Sequence, residues 1–181
     1  MSETKTPTAN KFSGPSRAYR GRGGKPSTGA RGQAAGSELE HKMIEVRRVT
    51  RVVKGGRRFS FSALVVAGDR RGRVGVGLGK AGDISEAIEK GLRQAKKRMV
   101  TVPLTKTSSV PHQVSAKFGS SRVIIRPAPN HGVVAGGAVR VILNLAGVRA
   151  VSGKIISPSK NKINNAKATI AALAELRARR D

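Results

Sequence analysis

Residues 72–83 read GRVGVGLGKAGD, and three glycines in this stretch have the spacing of a nucleotide-binding loop. Gly77, Gly79 and Gly82 give the pattern G-x-G-x-x-G, with alternating apolar residues before it and a helix-like segment after it. In dinucleotide-binding proteins such glycines let the backbone approach a pyrophosphate at the start of a helix. That chemistry requires the loop to lie in a parallel strand–turn–helix unit.

The elements around this stretch instead have the order of an antiparallel meander. Strands are predicted over 44–53, 57–68 and 73–79, because apolar and polar residues alternate there and turn residues separate the segments. A helix follows, with Asp83 and Glu86 as a capping box. Its inward stripe is predicted to contain Ile84, Ala87, Ile88, Leu92, Ala95 and Met99.

Two nucleotide-binding arrangements are excluded by this context. A dinucleotide fold needs an acidic residue about 20 positions further on, and the sequence has none between Glu89 and Glu175. A P-loop needs Ser or Thr after its lysine and a glycine upstream, but Ala81 follows Lys80 and Val74 occupies the glycine position.

The chain is strongly basic over its whole length. It has 181 residues, with 36 Lys and Arg against 10 Asp and Glu, and residues 90–174 contain fifteen basic residues and no acidic one. A folded protein with such a surface repels itself unless a polyanion neutralises it. Nucleic acid is the leading candidate for that partner, and an anionic membrane surface is the lesser one.

Several functional classes find no support. The absence of Cys excludes a disulfide framework, and the three His residues are too far apart to suggest a metal site. The longest apolar run, 132–148, is interrupted by Arg140, so no membrane span is predicted. We find no nucleophile–base pair or carboxylate dyad, so we expect neither enzymatic activity, nor a cofactor, nor a small-molecule substrate. Without an apolar leader, the chain is expected in the cytoplasm or an organelle.

The composition divides the chain into four segments. Residues 1–41 are predicted to be a disordered basic arm, because they are rich in Gly, Ser, Pro and Arg and poor in large apolar residues. A β-β-β-α domain is predicted over 42–100, and a linker over 101–109. A second, α/β domain is predicted over 110–181. The fold class is therefore a two-domain α+β and α/β protein.

The second domain is predicted from three strands and two helices. The strands are expected over 110–118, 122–128 and 148–157, and a glycine turn within 132–148 leads into an apolar helix. Asn161 or Asn164 would cap the last helix. Its inward residues are predicted to be Ala166, Ile170, Leu173 and Leu176.

The third strand of the first domain has a glycine face. We predict that Val74, Val76 and Leu78 face the following helix, while Gly75, Gly77 and Gly79 face the other way. A glycine face lets another backbone approach closely, and that backbone could belong to RNA, the second domain or another protein. A bulged or tightly bent strand is an equally good interpretation.

The turn between the first two strands gathers positive charge. Arg51, Lys54, Arg57 and Arg58 surround Gly55-Gly56, which would allow a tight turn with positive φ at both glycines. Crowded cations favour an anion, so phosphate binding is predicted in preference to a solvated loop. Five further arginines are expected near this turn: Arg47, Arg48, Arg70, Arg71 and Arg73. The full set of candidate RNA-binding residues is Arg47, Arg48, Arg51, Lys54, Gly55, Gly56, Arg57, Arg58, Arg70, Arg71, Arg73 and Lys80.

Phe59 and Phe61 could resemble the base-stacking pair of an RNA-recognition sheet. They share a face with Ala63, Val65 and Ala67, so core packing is the preferred interpretation. With no Trp and one Tyr in the chain, a stacking platform across single strands is not predicted.

Residues 53–99 resemble the signature region of the small-subunit ribosomal protein five family, and residues 126–148 resemble that family's second domain. The resemblance covers about residues 42–178. It implies a first domain akin to the double-stranded-RNA-binding fold and a second domain with a left-handed crossover. It also implies a structural constituent of the small subunit that binds ribosomal RNA and holds head and body in register. Its neighbours would be ribosomal proteins four and eight, and it would contribute to translational accuracy close to where mRNA enters.

The resemblance also assigns residues. The hairpin from Thr50 to Arg58 would reach ribosomal RNA near the spectinomycin pocket. The contact with protein four would use a glycine-rich turn comprising Asn130, His131, Gly132, Gly136, Gly137 and Arg140. The chain departs from the double-stranded-RNA-binding pattern, because it opens with an arm and carries an acidic helix start, so hairpin loops rather than a duplex clamp are expected to bind.

Two other functions stay open at this point. The same charge would suit a free regulator of duplex RNA. The segment GVVAGGA at 132–138, which precedes a helix, would suit a small-molecule kinase or other nucleotide binder.

Overall fold

A computed structural model describes residues 39–105 and 107–177 of the chain. Residues 1–38 of the predicted disordered arm lie outside the described residues. The first strand begins at Glu40, so Glu40 and His41, which the sequence placed in the arm, pair with Gly68 and Ala67.

The first half of the described chain is an antiparallel sheet with one helix, as predicted, and it has a fourth strand that the sequence did not predict. Its strands are β1 (Glu40–Val53), β2 (Gly56–Gly68), β3 (Arg73–Ala81) and β4 (Met99–Thr101), and they lie in the order β1-β2-β3-β4. Helix α1 (Ile84–Lys97) connects β3 to β4. Met99, predicted on the helix stripe, instead starts β4 and pairs with Gly75. This order excludes a parallel dinucleotide-binding unit.

The second half is a mixed sheet with two helices. It comprises β5 (Val114–Phe118), β6 (Ser121–Pro127), β7 (Val133–Ala135), α2 (Gly137–Ala146), β8 (Val151–Ile155) and α3 (Lys162–Ala174). The strand order is β5-β6-β8-β7, with β7 parallel to β8 and the other pairs antiparallel. Strand β7 was not predicted because three residues are too few to show a period.

Both helix caps identified in the sequence are present. The Asp83 carboxylate accepts a hydrogen bond from the Ser85 amide at 3.2 Å and starts α1. Glu86, expected to complete a capping box, forms an ion pair with Lys90 at 2.7 Å. Of the two asparagines proposed for α3, Asn161 is the cap, and its side chain accepts from the Ile163 amide at 3.1 Å.

The two halves share one hydrophobic core. The largest buried cluster joins Leu64, Val66 and Val74 of the first sheet to residues of α2, such as Ile142, and of α3, such as Leu173. A smaller cluster on the opposite face joins β2 to α1. Residues 62–68 are consequently buried on both faces, whereas the alternation had suggested a single inward face.

The glycine face of β3 packs against α1, so the predicted orientation of this strand was wrong. A Cβ on Gly79 would collide with the carbonyl oxygen of Ala87, and one on Gly77 with that of Gly91. The buried residues of the helix at this contact are Ala87, Gly91 and Ala95, so its backbone lies directly on the strand. The valine and leucine side chains of β3 face α2 and α3 instead. The glycines therefore serve helix–sheet packing, and the approaching backbone belongs to the chain's own helix.

The turn between β2 and β3 is hydrogen-bonded to the end of α2. The amides of Arg70 and Gly72 donate to the carbonyls of Leu145 and Ala146 at 3.0 and 2.9 Å. These carbonyls belong to the last turn of a helix, where no intrahelical donor remains. Gly147, with φ of +82°, approaches the Arg70 carbonyl too closely to admit a side chain. The first half therefore caps a helix of the second half.

Replacing Gly79 by Ala should destabilise the protein by about 1–3 kcal/mol, because the methyl group would force α1 away from β3. Urea unfolding of the purified chain measures this loss. Gly82→Ala is the matched control, since a Cβ there meets no atom within 4 Å and should change little. Equal unfolding midpoints for the two variants would contradict the proposed packing role.

Candidate nucleic-acid interface

The β1–β2 hairpin extends beyond the rest of the first sheet. Strand β3 pairs with β2 only as far as the Phe61–Ala81 pair, whereas β1 and β2 continue to Val53 and Gly56. Helix α1 starts just after Ala81 and runs back towards the other end of the sheet. We call residues 49–60 the hairpin extension. Its five residues of β2 beyond Phe61 reach about 16 Å at 3.3 Å per residue.

The turn at the end of the hairpin extension differs from the predicted one. Val53 pairs with Gly56, so the two turn residues are Lys54 and Gly55. Gly56 has a φ of +137°, but Gly55 is not among the positive-φ glycines. A Cβ on Gly55 meets no atom within 4 Å. The requirement for glycine therefore falls on Gly56 alone, because the turn lies one residue earlier than predicted.

Strand pairing sorts the predicted cations onto two faces, because residues directly opposite in an antiparallel pair share a face. Arg51 lies opposite Arg58, and both Arg47 and Lys80 lie opposite Ser62. We call this set the arginine face: Arg47, Arg51, Arg58 and Lys80. The other set, the aromatic face, contains Arg48, Val52, Arg57 and Phe59.

The arginine face has little compensating negative charge. Residues 46–68 contain no acidic residue. Glu45, next along β1, is paired at the base of the extension with Arg47 at 3.1 Å and Lys162 at 3.9 Å. Like charges directly opposite on a sheet are destabilising. The Arg51–Arg58 pair is therefore a charge arrangement that an added anion would relieve.

The remaining predicted arginines lie at the opposite end of β2, not near the turn as expected. Arg70, Arg71 and Arg73 follow the last residue of this 13-residue strand, about 40 Å from the hairpin turn at 3.3 Å per residue. Arg70 pairs with Glu40 at 2.6 Å, and Arg73 pairs with Asp69 at 2.7 Å. The structure thus separates the predicted RNA-binding residues into two groups.

Asp69 organises the β2–β3 turn. Its carboxylate is 2% exposed and accepts hydrogen bonds from the Arg71 and Arg73 amides and from the Arg73 guanidinium, at 2.8, 3.0 and 2.7 Å. Burial raises the pKa of this carboxyl, but the hydrogen bonds and the Arg73 charge outweigh burial, so the pKa lies below its ordinary value of 3.8. The ionised form therefore stabilises the turn that caps α2.

Asp69→Asn should lower the free energy of unfolding at pH 7 by about 1–2 kcal/mol, because charge-assisted hydrogen bonds are lost. A depressed folded pKa stabilises the protein above the unfolded pKa, and this contribution disappears as pH falls through the folded pKa. The difference between variant and wild type should therefore shrink below pH 3.8. Urea unfolding from pH 7 to pH 3 tests this, with the exposed Glu86→Gln as control. A pH-independent difference would contradict it.

The residues predicted to form a protein interface lie around β7. Asn130, with φ of +69°, His131 and Gly132 precede this strand and are exposed. Gly136 caps α2, Gly137 is its first residue, and Arg140 is exposed in its first turn. Among residues 39–105 and 107–177, no carboxylate lies within ion-pair distance of Arg140.

A further basic surface was not predicted. On the outer face of the second sheet, Lys117 lies directly opposite Arg122, and Lys154 lies opposite Ile124. Arg126 is on the same face two residues along β6. The alternation in the strand sequences indicates that Lys117, Arg122 and Arg126 each face away from the core. Only the pairing of β5, β6 and β8 shows that these basic side chains lie side by side.

Within residues 39–105 and 107–177, no group of three or more His, Asp or Glu side chains is arranged to hold a metal ion. None of the three helices described is long and apolar enough to cross a membrane.

Comparison with known protein families gives two matches. The model for "Ribosomal protein S5, N-terminal domain" matches residues 39–103, and the model for "Ribosomal protein S5, C-terminal domain" matches residues 116–181. The two matches cover all of the first sheet, the second sheet from residue 116 onward, and all three of the helices described above.

Curated relatives carry the same family name. The chain is 51% identical over 142 residues to small ribosomal subunit protein uS5 of Acaryochloris marina, covering 78% of this chain and 80% of the relative. It is 49% identical over 141 residues to protein uS5c of Emiliania huxleyi, covering 77% and 88%. Protein uS5c of Pyropia yezoensis is 46% identical over 149 residues, covering 82% and 85%. The similarity therefore extends over most of each protein.

Proposed function

The chain belongs to the ribosomal protein S5 family, and on this premise we propose that its hairpin extension binds small-subunit ribosomal RNA. The protein is a structural constituent of the small ribosomal subunit, and its place is a ribosome, either cytoplasmic or organellar. The observation that carries the proposal is the Arg51–Arg58 pair, two like charges opposite each other within residues 46–68, which contain no acidic residue.

The proposed mechanism is electrostatic and geometric. Arginine and lysine side chains of the extension neutralise RNA phosphates, and each contact releases condensed counterions. The base of the extension belongs to a sheet that is packed on both faces, so the extension projects from a well-packed core. The chain performs no chemistry on the RNA in this proposal and acts without a cofactor.

The second group of arginines is proposed as a separate RNA contact. Arg70 and Arg73 are already engaged with Glu40 and Asp69, while Arg71 is exposed. Because this group lies at the far end of β2, the two groups would contact different RNA segments. A protein that joins two RNA segments through one rigid sheet suits the proposed role of keeping head and body of the subunit in register.

Arg51→Thr should lower the slope of log affinity against log salt by about 0.7–0.9, because one phosphate contact is lost. The free protein should be unchanged or stabilised by about 0.2–1 kcal/mol, since the Arg51–Arg58 repulsion is relieved. Filter binding to a small-subunit ribosomal RNA transcript over a salt series measures the first effect, and thermal unfolding measures the second.

Arg93→Gln is the matched control, because it removes the same charge from an exposed position on α1. It should leave the salt slope within error of the wild type. Equal losses of slope in both variants would mean that net charge alone drives binding and that the extension is not a specific contact.

The glycine-rich turn around β7 is proposed to contact a neighbouring ribosomal protein, protein four, with protein eight also adjacent. Arg140 supports this proposal, since it is exposed and has no acidic partner among the described residues. A carboxylate on the neighbour would complete the pair. We further propose that this contact, close to where mRNA enters, underlies a contribution to translational accuracy.

Arg140→Asp should weaken the association with purified ribosomal protein four and raise miscoding, because like charges would then face each other across the contact. The melting temperature of the free protein should change little, since the residue is exposed. Pull-down with protein four and a stop-codon readthrough assay measure these effects. Wild-type association together with wild-type accuracy would remove Arg140 from the interface.

A further inference from the structure

The aromatic face of the hairpin extension exposes apolar side chains that the fold does not use. Phe59 is 45% exposed and Val52 is 75% exposed, whereas the sequence had predicted that Phe59 is packed in the core. Phe61, two residues further along β2 towards the rest of the sheet, packs against the buried cluster that contains Ala63, Val65 and Ala87. The packing ends there because α1 begins next to the Phe61–Ala81 pair and runs away from the extension.

Phe59 is held by an arginine on the neighbouring strand. The guanidinium carbon of Arg48 lies 3.7 Å from the centroid of the Phe59 ring, a stacking distance for a cation and an aromatic ring. Thr50 lies directly opposite Phe59, so Arg48 reaches the ring diagonally. The contact orders both side chains and leaves part of the ring open to solvent.

The side chains of the aromatic face indicate which kind of ligand it binds. An exposed ring beside an arginine offers two surfaces on which a nucleobase can stack. Arg57 lies on the same face, and the arginine face lies immediately behind it on the same two strands. A nucleotide supplies both a flat apolar base and an anionic phosphate, which match the two kinds of group present. A partner protein with an apolar surface would leave the cations uncompensated.

We propose that the aromatic face receives an unpaired nucleobase of the RNA, stacked on Phe59 beside Arg48, while the arginine face contacts the phosphates. This inference rests on the proposed function and adds to it a division of labour between the two faces. It also predicts that the extension binds a looped or single-stranded segment of the RNA, because the faces of a paired base are stacked within the helix and are not accessible to Phe59.

A single-tryptophan variant reports on the site directly. The wild-type chain contains no Trp, so in Phe59→Trp all fluorescence excited at the red edge of the indole band comes from this position. A small-subunit ribosomal RNA transcript should quench this fluorescence, because a stacked base is in contact with the indole. Heparin, a polyanion without bases, should bind at low salt and leave the fluorescence nearly unchanged.

Phe59→Leu separates stacking from charge. It keeps an apolar side chain and removes the ring, so affinity for the transcript should fall about fivefold to tenfold with an unchanged salt slope. Arg51→Thr should give the opposite signature, a lower slope. Phe59→Tyr keeps the ring and should restore affinity. Thermal unfolding verifies that each variant is folded. We expect folded variants, because Phe59 is partly exposed and its replacement leaves the core intact.

Four results would overturn the inference. Equal quenching by heparin would show that the indole senses charge and not a base. Wild-type affinity of Phe59→Leu, with a normal salt slope, would leave the proposed function intact and remove the stacking site. A blue shift of the indole on phosphatidylglycerol vesicles, without quenching by RNA, would assign the face to a membrane. Absence of any binding of wild-type protein to the transcript would instead defeat the proposed function, and the inference with it.

Discussion

The close contact between α1 and the glycine face of β3 determines most of what this molecule can present to a partner. Without side chains at Gly75, Gly77 and Gly79, the helix backbone rests on the strand. Its register is set by the small residues Ala87 and Gly91. Because this contact places the start of the helix at the end of β3, the first five residues of β2 and their partners on β1 extend past the helix. The hairpin extension is a consequence of where the helix can pack.

The other face of the same sheet makes the two halves one mechanical unit. Leu64 and Val66 enter a core that α2 and α3 complete, and the amides of the β2–β3 turn cap the end of α2. A cap supplied by a different part of the chain ties the position of α2 to the sheet. The base of the hairpin extension and the exposed first turn of α2, where Arg140 lies, are therefore fixed relative to each other by packing and hydrogen bonds.

Charge has opposite effects on stability and on binding in the hairpin extension. A two-stranded ribbon is only marginally stable by itself, and the opposed Arg51 and Arg58 weaken it further. The cation–π contact between Arg48 and Phe59 acts in the other direction and is worth about 0.5–1 kcal/mol at an exposed site. A polyanion turns the repulsion into attraction, so the ribbon is expected to gain order when RNA is bound. Functional surfaces commonly carry such local costs, which the rest of the fold compensates.

The sequence by itself determined the meander, the helices, the polyanion partner and the family. Alternation over 57–68, the cap at Asp83, a cap at Asn161 or Asn164 and the excess of basic residues are local signals, and local physics sufficed to place the strand and the helix starts and to indicate an anionic partner. Only the tertiary structure decided which helices pack against each face of the first sheet. Both faces of β3 can be buried, so alternation could not tell the valine face from the glycine face, and the orientation predicted for that strand was wrong. The exposure of Phe59 depends on where α1 stops covering the sheet, and the burial of residues 62–68 on both faces depends on α1 packing on one side and α2 and α3 on the other. These properties arise from contacts between distant segments, which the periodicity of a single segment does not encode.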